Sequence, residues 1–244
     1  AELGLYSTSP NPCVGCVLVR NGEIVGEGWH ERAGEPHAEV HALRAAGGKA
    51  RGATAYVTLE PCSHHGRTPP CADALIEAGV ARVVCAMQDP NPLVSGQGLQ
   101  RLRAAGIAVE CGLMETEARA LNTGFVSRMT RGRPWVRSKV AASLDGRTAL
   151  ANGASRWITG AAARQDVQHW RARSCAVLTG SGTVLADDPQ LNVRIATERQ
   201  PWRVVLDSAL RTPPVARILQ GGKVLLCTTS QDADKRAALE ARGA

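Results

Sequence analysis

The sequence predicts an α/β protein with two domains, on the basis of three observations. Short apolar runs alternate with helical patterns along the whole chain. The helical pattern of the first half stops at Gly132 and Pro134, two residues that break helices. Charge also changes sign near this point, from 10 basic and 13 acidic residues up to Ala120 to 19 basic and 9 acidic residues from Leu121. We therefore predict domains at 1–132 and 133–244.

In the first domain, apolar runs predict strands and helical patterns predict helices. The predicted helices end at glycines, the residue most favoured at the C-terminal cap of a helix. The predicted strands are 13–20, 24–29, 53–59, 82–87 and 107–112. The predicted helices are 37–46, 71–78, 99–105 and a single long helix at 115–134.

The second domain opens with the segment 135–146, in which Lys139 lies within a predicted strand. This segment is followed by a predicted helix at 161–174, strands at 175–180, 202–208 and 223–229, and a helix at 232–242. An open sheet would ordinarily add another strand after that helix, so we expect this domain to be incomplete at its C-terminal end.

Composition excludes several classes of protein. No apolar run approaches the roughly 20 residues of a membrane helix, and the first residues lack a secretory signal, so we expect a cytoplasmic protein without membrane contact. Aromatic residues for base stacking are only 3% of the chain, so the basic excess suits small phosphorylated ligands better than nucleic acid. Eight cysteines are too few for a disulfide scaffold and indicate metal ligands plus buried apolar residues.

The residues with the most specific chemistry are His37, Glu39, Cys62 and Cys71. One imidazole and two thiolates form a three-ligand zinc shell whose fourth position stays open for water, as in catalytic zinc sites. Zinc, which this donor set favours over iron, lowers the pKa of that water toward about 7. Glu39 then transfers protons, the role of the glutamate in the H-x-E…P-C-x-x-C signature of zinc nucleobase deaminases. Here eight residues separate the cysteines instead of two.

Other interpretations of these residues remain open. Cys62 and Cys71 would be ordinary buried cysteines if the HAE tripeptide arose by chance, and with Cys13 and Cys16 they would form a structural four-cysteine zinc site. We interpret His41 as a structural neighbour, because a fourth ligand would leave no position for water. The loop between the cysteines favours substrate contacts by His64 and Arg67, although both could be solvated loop residues.

The sequence contains the stretches PNPCVGCVLV, GEPHAEVHAL, TLEPCSHHGRTPPC, MQDPNP, SLDGRTA, WITG and TVLADDPQLNVR. In these stretches the chain resembles the bifunctional deaminase/reductase family of bacterial riboflavin biosynthesis, and the long cysteine spacing is this family's own pattern. It implies a cytidine-deaminase-like N-terminal domain that removes the 2-amino group of 2,5-diamino-6-(5-phosphoribosylamino)pyrimidin-4(3H)-one. It further implies a dihydrofolate-reductase-like C-terminal domain, in which NADPH reduces the ribosyl group of 5-amino-6-(5-phosphoribosylamino)uracil to ribityl.

The resemblance also implies functional residues, position by position. Those on the deaminase substrate would be Asn11, His30, His64, Arg67 and Asn91. Those on NADPH would be Ala141, Trp157, Thr183, Asp187 and Ser208, and those on the reductase substrate Ser155, Arg171, Leu191 and Arg194. Lys139 is assigned a reductase role as a hypothesis. The sequence does not give the oligomeric state, although families of this kind often form homo-oligomers.

The residues of the second half support a reductase less specifically. No G-x-G-x-x-G follows a strand, but the predicted turn GSGT at 180–183 and the arginines Arg156, Arg171 and Arg194 suit phosphate groups. Surface arginines are the alternative interpretation. Two other functions stay open: a nucleobase or tRNA-editing deaminase whose basic half binds RNA, and a non-catalytic zinc module.

Overall fold

A computed structural model describes residues 1–64 and 69–244. The chain divides into two compact units, Ala1–Arg137 and Ser138–Ala244. Both are α/β, as the alternation of apolar runs predicts. No helix in the described part of the chain is long and apolar enough to cross a membrane.

The first unit is built on a five-stranded sheet with the order β2-β1-β3-β4-β5. Strand β1 pairs antiparallel with β2 and β3, whereas β3, β4 and β5 run parallel. The carboxyl ends of β3 and β4 therefore meet at one edge of the sheet, where open α/β sheets usually bind ligands. The strands are β1 Gly15–Arg20, β2 Glu23–Trp29, β3 Thr54–Val57, β4 Arg82–Cys85 and β5 Ala108–Cys111.

Five helices complete this unit: α1 Ala38–Ala46, α2 Cys71–Glu77, α3 Gln97–Ala104, α4 Glu115–Leu121 and α5 Thr123–Arg131. The backbone of helix α1 packs directly against the backbone of β2. A Cβ atom at Gly26 would lie 2.3 Å from the carbonyl oxygen of Ala42, and one at Gly28 would lie 2.4 Å from that of Ala38. Only glycine permits this approach, which fixes the start of α1 and the residues on its first turn.

The segment 115–134 is two helices rather than the single helix predicted. They meet at Asn122, whose φ and ψ of −112° and 29° are not helical. Its buried side chain bonds to the backbone of Cys13, on a distant part of the chain. A tertiary contact of this kind overrides the local helical pattern.

The second unit contains a parallel three-stranded sheet with the order β6-β7-β8. Its elements are α6 Ala161–Ala172, β6 Ala176–Gly180, α7 Ser181–Asp187, β7 Trp202–Leu206, β8 Val224–Cys227 and α8 Ala233–Glu240. The core beneath the sheet includes Val184, Val205, Ile218 and Leu239. The N-cap of helix α8 is Asp232, whose side chain accepts a hydrogen bond from the N–H of Lys235 at 3.0 Å.

Two predictions for this unit were wrong. Residues 135–146 form neither helix nor strand, so Lys139 does not lie in a strand. Val136 and Val140 are largely exposed, so the apolar residues of this segment are not covered by another surface among the described residues. The GSGT segment is also not an open turn, because Ser181 directly follows β6 and begins α7.

Candidate functional site

His37, Cys62 and Cys71 come together at the sheet edge where β3 ends. Nδ1 of His37 lies 3.5 Å from Sγ of Cys62 and 3.3 Å from Sγ of Cys71. All three donor atoms lie within 4.8 Å of one another. His37 is the N-cap of α1 and Cys71 is the first residue of α2, so two helix starts and the loop after β3 hold the group.

This geometry fits a zinc ion. Zinc bonds of about 2.3 Å to sulfur and about 2.0–2.1 Å to nitrogen, at tetrahedral angles, place the two donor atoms about 3.6 Å apart. The observed separations of 3.3 and 3.5 Å are close to that value. Three protein donors leave one tetrahedral position for water or substrate, the arrangement of catalytic zinc sites.

The chemical state of Cys62 also suits a metal, whereas its hydrogen bond with Cys71, together with burial, raises the pKa of the Cys71 thiol. Hydrogen bonds from Cys71 and His37 lower the pKa of the Cys62 thiol to about 4, despite the opposing effect of burial. A thiolate is the form of cysteine that binds metals. The hydrogen bond to Cys62 raises the pKa of His37 and outweighs burial, which lowers it.

Glu39 lies on the first turn of α1, two residues after His37, and is only 3% exposed. Its Oε2 is buried without a hydrogen-bond partner in the described part of the chain. Burial raises the pKa of this carboxyl to about 7, although the hydrogen bond at its own backbone N–H lowers it. A carboxyl with a pKa close to neutrality and a free oxygen both accepts and releases protons, as a general acid and base must.

The alternative four-cysteine site does not form among the described residues, and His41 is not one of the donors. Cys13 and Cys16 are buried and are not members of the group of donor atoms. Thr8 Oγ1 lies 3.3 Å from the sulfur of Cys13, which is the contact of a small core residue. His41 also lies outside the group, and its buried Nε2 has no hydrogen-bond partner in the described ranges.

Asn11 and His30 form one unit beside the donor group. The rings of His30 and His37 meet edge to face, with centroids 5.2 Å apart. His30 is 2% exposed, and its Nδ1 lies 3.2 Å from the carbonyl oxygen of Pro36 while its Nε2 lies 3.0 Å from Nδ2 of Asn11. Both nitrogens of the His30 ring are therefore occupied, and His30 positions Asn11.

Asn91 follows β4 and lies at the same sheet edge. Its backbone N–H donates to Oδ1 of Asp89 at 2.8 Å, and its own Oδ1 accepts from the N–H of Leu93 at 3.1 Å. Burial raises the pKa of Asp89, and the nearby His64, an exposed residue of the loop after Cys62, opposes this effect. Arg67 lies outside the described residues.

Sequence reasoning missed Glu60. This residue precedes Pro61 and Cys62, is 5% exposed, and accepts hydrogen bonds from four backbone N–H groups at residues 89–99. The only signal in the sequence was a charged residue at the end of a predicted buried strand, where a charge requires partners.

Three residues predicted to bind the reductase substrate are brought together in the second unit. Arg171 on α6 donates from Nη1 to the carbonyl oxygen of Asn192 at 3.1 Å, next to Leu191. The N–H of Arg194 donates to Oε1 of Gln168 at 3.0 Å. Burial and the nearby charge of Arg194 lower the pKa of Arg171, so two cations lie close together without an acidic partner among these contacts. Such a pair suits a phosphate.

The residues predicted to bind NADPH are more scattered. Thr183 and Asp187 lie on α7, and Ser208 follows β7, the neighbour of β6. Arg211 joins these segments by donating from Nη2 to Oγ of Ser181 at 3.0 Å. Trp157 stacks with Arg164, whose Cζ lies 4.5 Å from its ring centroid.

The remaining predicted residues, Ala141 and Ser155, lie in the irregular stretch before α6, together with Lys139. Lys139 is exposed, and no hydrogen bond or ion pair within the described residues joins it to Asp187.

Two family models match separate parts of the chain. Residues 2–87 match the zinc-binding region of cytidine and deoxycytidylate deaminases, and residues 134–240 match the RibD C-terminal domain. The riboflavin biosynthesis protein RibD of Escherichia coli K12 is 61% identical over 246 residues, which cover 95% of this chain and 67% of that protein. The RibD of Haemophilus influenzae is 58% identical over 231 residues, or 89% and 62% of the two chains.

Solved structures agree with this result. Acinetobacter baumannii RibD superposes with a TM-score of 0.91 at 56% identity, covering 98% of this chain and 68% of that one. A Thermotoga maritima protein named as a diaminohydroxyphosphoribosylaminopyrimidine deaminase/5-amino-6-(5-phosphoribosylamino)uracil reductase has a TM-score of 0.90 at 44% identity, covering 96% and 68%. The chain spans about two thirds of the length of these relatives. It belongs to the RibD family of bifunctional riboflavin biosynthesis proteins.

Proposed function

We propose that residues 1–132 deaminate 2,5-diamino-6-(5-phosphoribosylamino)pyrimidin-4(3H)-one by hydrolysis. We further propose that residues 133–244 belong to the NADPH-dependent reductase that converts the product's ribosyl group to ribityl. The observation that carries the first activity is the His37, Cys62 and Cys71 donor group with Glu39 buried next to it. A metal-binding module without catalysis would have no use for a buried carboxyl with one unpartnered oxygen at this point.

In the deaminase, His37, Cys62 and Cys71 would hold the zinc ion, which when bound activates water as a nucleophile. Glu39 accepts a proton from the attacking water at Oε2, the atom that has no protein partner in the described part of the chain. The same carboxyl then gives the proton to the departing amino nitrogen, which leaves as ammonia.

The hydrogen-bonding groups around this site suit a pyrimidinone. The carbonyl of Pro36 can only accept, so Nδ1 of His30 donates to it and Nε2 accepts from the Asn11 amide nitrogen. Oδ1 of Asn11 is left as an acceptor for a substrate N–H. Because Oδ1 of Asn91 is engaged by Leu93, Asn91 instead offers the two N–H donors of its amide, which suit a ring carbonyl.

For the reductase, the second unit offers suitable residues for both ligands. A Cβ atom at Gly180 or Gly182 would meet nothing within 4 Å, so the carboxyl end of β6 is open within this unit. Thr183, Asp187 and Ser208 lie there and would contact NADPH together with Trp157 and Ala141; the cofactor supplies a hydride when bound. Arg171 and Arg194 would bind the substrate phosphate, with Ser155 and Leu191 beside them.

We propose a cytoplasmic protein that acts on small phosphorylated pyrimidines and does not act on nucleic acid. The oligomeric state is tested by light scattering of the purified chain.

The assay that tests this function measures ammonia release and NADPH oxidation together. We expect the zinc-loaded protein to release ammonia from the diaminopyrimidinone without NADPH. An RNA-editing deaminase would instead act on RNA, with an affinity that falls steeply as salt rises. Ammonia from RNA, but none from the diaminopyrimidinone, would contradict the proposal.

A further inference from the structure

The feature that carries a further inference is the set of hydrogen bonds that Glu60 accepts. Its Oε2 accepts from the N–H of Asp89 at 3.0 Å and of Gly96 at 2.9 Å. Its Oε1 accepts from the N–H of Gly98 at 2.8 Å and of Leu99 at 3.3 Å. Both carboxylate oxygens are thus fully used, within a side chain that is 5% exposed.

Helix α3 depends on this carboxylate for its N-terminal cap. The N-cap position is Gly96, which has a φ of 80° and no side chain to accept the first N–H groups. Glu60 supplies the missing acceptor from a segment far away in the sequence, and its negative charge lies at the positive end of the helix.

The start of α3 also rests directly on the residue before a proposed metal ligand. A Cβ atom at Gly98 would lie 1.9 Å from the carbonyl oxygen of Pro61, so no larger residue fits there. Pro61 is followed by Cys62. The start of α3 and the segment that carries Cys62 are therefore packed directly against each other.

The same hydrogen bonds lead to Asn91. Glu60 holds the N–H of Asp89, Oδ1 of Asp89 accepts from the N–H of Asn91, and Oδ1 of Asn91 accepts from Leu93. We propose that Glu60 is a positioning residue that fixes Asn91 relative to Cys62 and thereby sets the affinity for the deaminase substrate. This inference rests on the proposed deaminase function.

The substitution Glu60→Gln tests this role. Gln is nearly the same size, but it has one acceptor oxygen and an amide NH₂ that would face two N–H donors. Two of the four hydrogen bonds are lost, while Cys62, His37 and Glu39 remain unchanged. We expect the loop 89–95 to move and Asn91 to lose its fixed position.

The experiment measures ammonia release from the diaminopyrimidinone at varied substrate concentration, with zinc content determined on the same sample. For Glu60→Gln we expect KM to rise tenfold or more, kcat to stay within about threefold, and zinc to stay near one per chain. Glu115→Gln is the matched control, because Glu115 pairs only with Arg119 on the exposed face of α4 among the described contacts. Its KM and kcat should equal those of the unaltered protein.

A second comparison separates positioning from general stability. In the double variant Glu60→Gln/Asn91→Ala, KM should be no higher than in Asn91→Ala alone, because Glu60 acts through Asn91. If Glu60→Gln does not fold, the same pair of measurements is made on Glu60→Asp. Three results would overturn this inference and leave the proposed function intact. They are an unchanged KM in the Glu60 variant, a loss confined to its kcat and zinc content, or additive effects on KM in the double variant. Absence of ammonia with the unaltered protein would overturn the proposed function as well.

Discussion

The side chain of Asn122 pairs with the backbone of Cys13 through two hydrogen bonds. Oδ1 accepts from the N–H of Cys13 at 2.8 Å, and Nδ2 donates to its carbonyl oxygen at 2.9 Å. The Asn122 side chain thus forms the pair of hydrogen bonds that the backbone of a neighbouring strand would form, at the point where α4 ends and α5 begins. It holds the chain two residues after Asn11, so it supports the segment that carries this proposed substrate contact.

The substitution Asn122→Ala should lower the free energy of unfolding by at least about 2 kcal/mol, because it leaves two buried backbone groups without partners. Urea unfolding measures this change. Asn152→Ala is the control, since Asn152 makes a similar bond to the N–H of Ala154 on an exposed loop. A loss below about 0.5 kcal/mol, the range of ordinary surface substitutions, would show that Asn122 is not a structural link.

Asp207 has a comparable role in the second unit, where it holds the turn after β7. It accepts from the N–H of Arg211 at 2.9 Å, and from the N–H and the hydroxyl of Thr212 at 2.7 Å each. Asp207→Asn should reduce the free energy of unfolding by about 1–3 kcal/mol at pH 7, because an amide NH₂ replaces one acceptor oxygen. Asp234→Asn, on the exposed face of α8, should have little effect in the same urea titration.

The effect of Asp207→Asn should also depend on pH. Burial alone would raise the pKa of Asp207, but the hydrogen bonds from Arg211 and Thr212 outweigh it and lower the pKa. Stabilisation by a carboxylate with a lowered pKa is full above its unfolded value of about 3.9 and is lost as pH falls through the folded value. The difference between the two proteins should therefore shrink in urea titrations below about pH 4. A difference that grows on acidification would contradict this assignment.

The three donor residues predict how zinc binding responds to substitution. Cys71→Ala should lose most of the zinc that the unaltered protein carries, since it removes one of three ligands. Cys111→Ala should retain it, because Cys111 is an exposed residue of β5 outside the donor group. Atomic emission spectroscopy of the dialysed proteins measures the metal. Equal zinc content in both variants would place the metal elsewhere.

Local patterns were sufficient to predict the strands and most of the helices of both units. These elements depend on residues that are neighbours in the sequence. They lie within a few residues of the predicted positions, as shown by the strands at 82–87 and 223–229 and by the helices that start at His37 and Cys71. The metal donors were found because the His-x-Glu and Pro-Cys spacings have specific chemistry. The break at Asn122 could not be predicted, because its cause is Cys13, more than 100 residues earlier.

Other features of the site could not be predicted from the sequence either, because they depend on contacts that local sequence patterns do not show. The partners of Glu60 lie 29 to 39 residues later, and no periodicity connects them. His30 was expected on the substrate, and the contacts of its ring nitrogens with Pro36 and Asn11 could not be predicted from the sequence pattern. Lys139 was expected in a strand because its neighbours are apolar, yet apolar residues form a strand only where another surface covers them.

The central claim, that Glu39 transfers the protons of a zinc-dependent deamination, is tested most directly with Glu39→Gln. This variant keeps the size of the side chain and all three metal donors but cannot accept a proton. We expect it to bind as much zinc as the unaltered protein and to release ammonia from the diaminopyrimidinone about 10²- to 10⁴-fold more slowly. Full zinc occupancy with an undiminished rate of ammonia release would contradict the account.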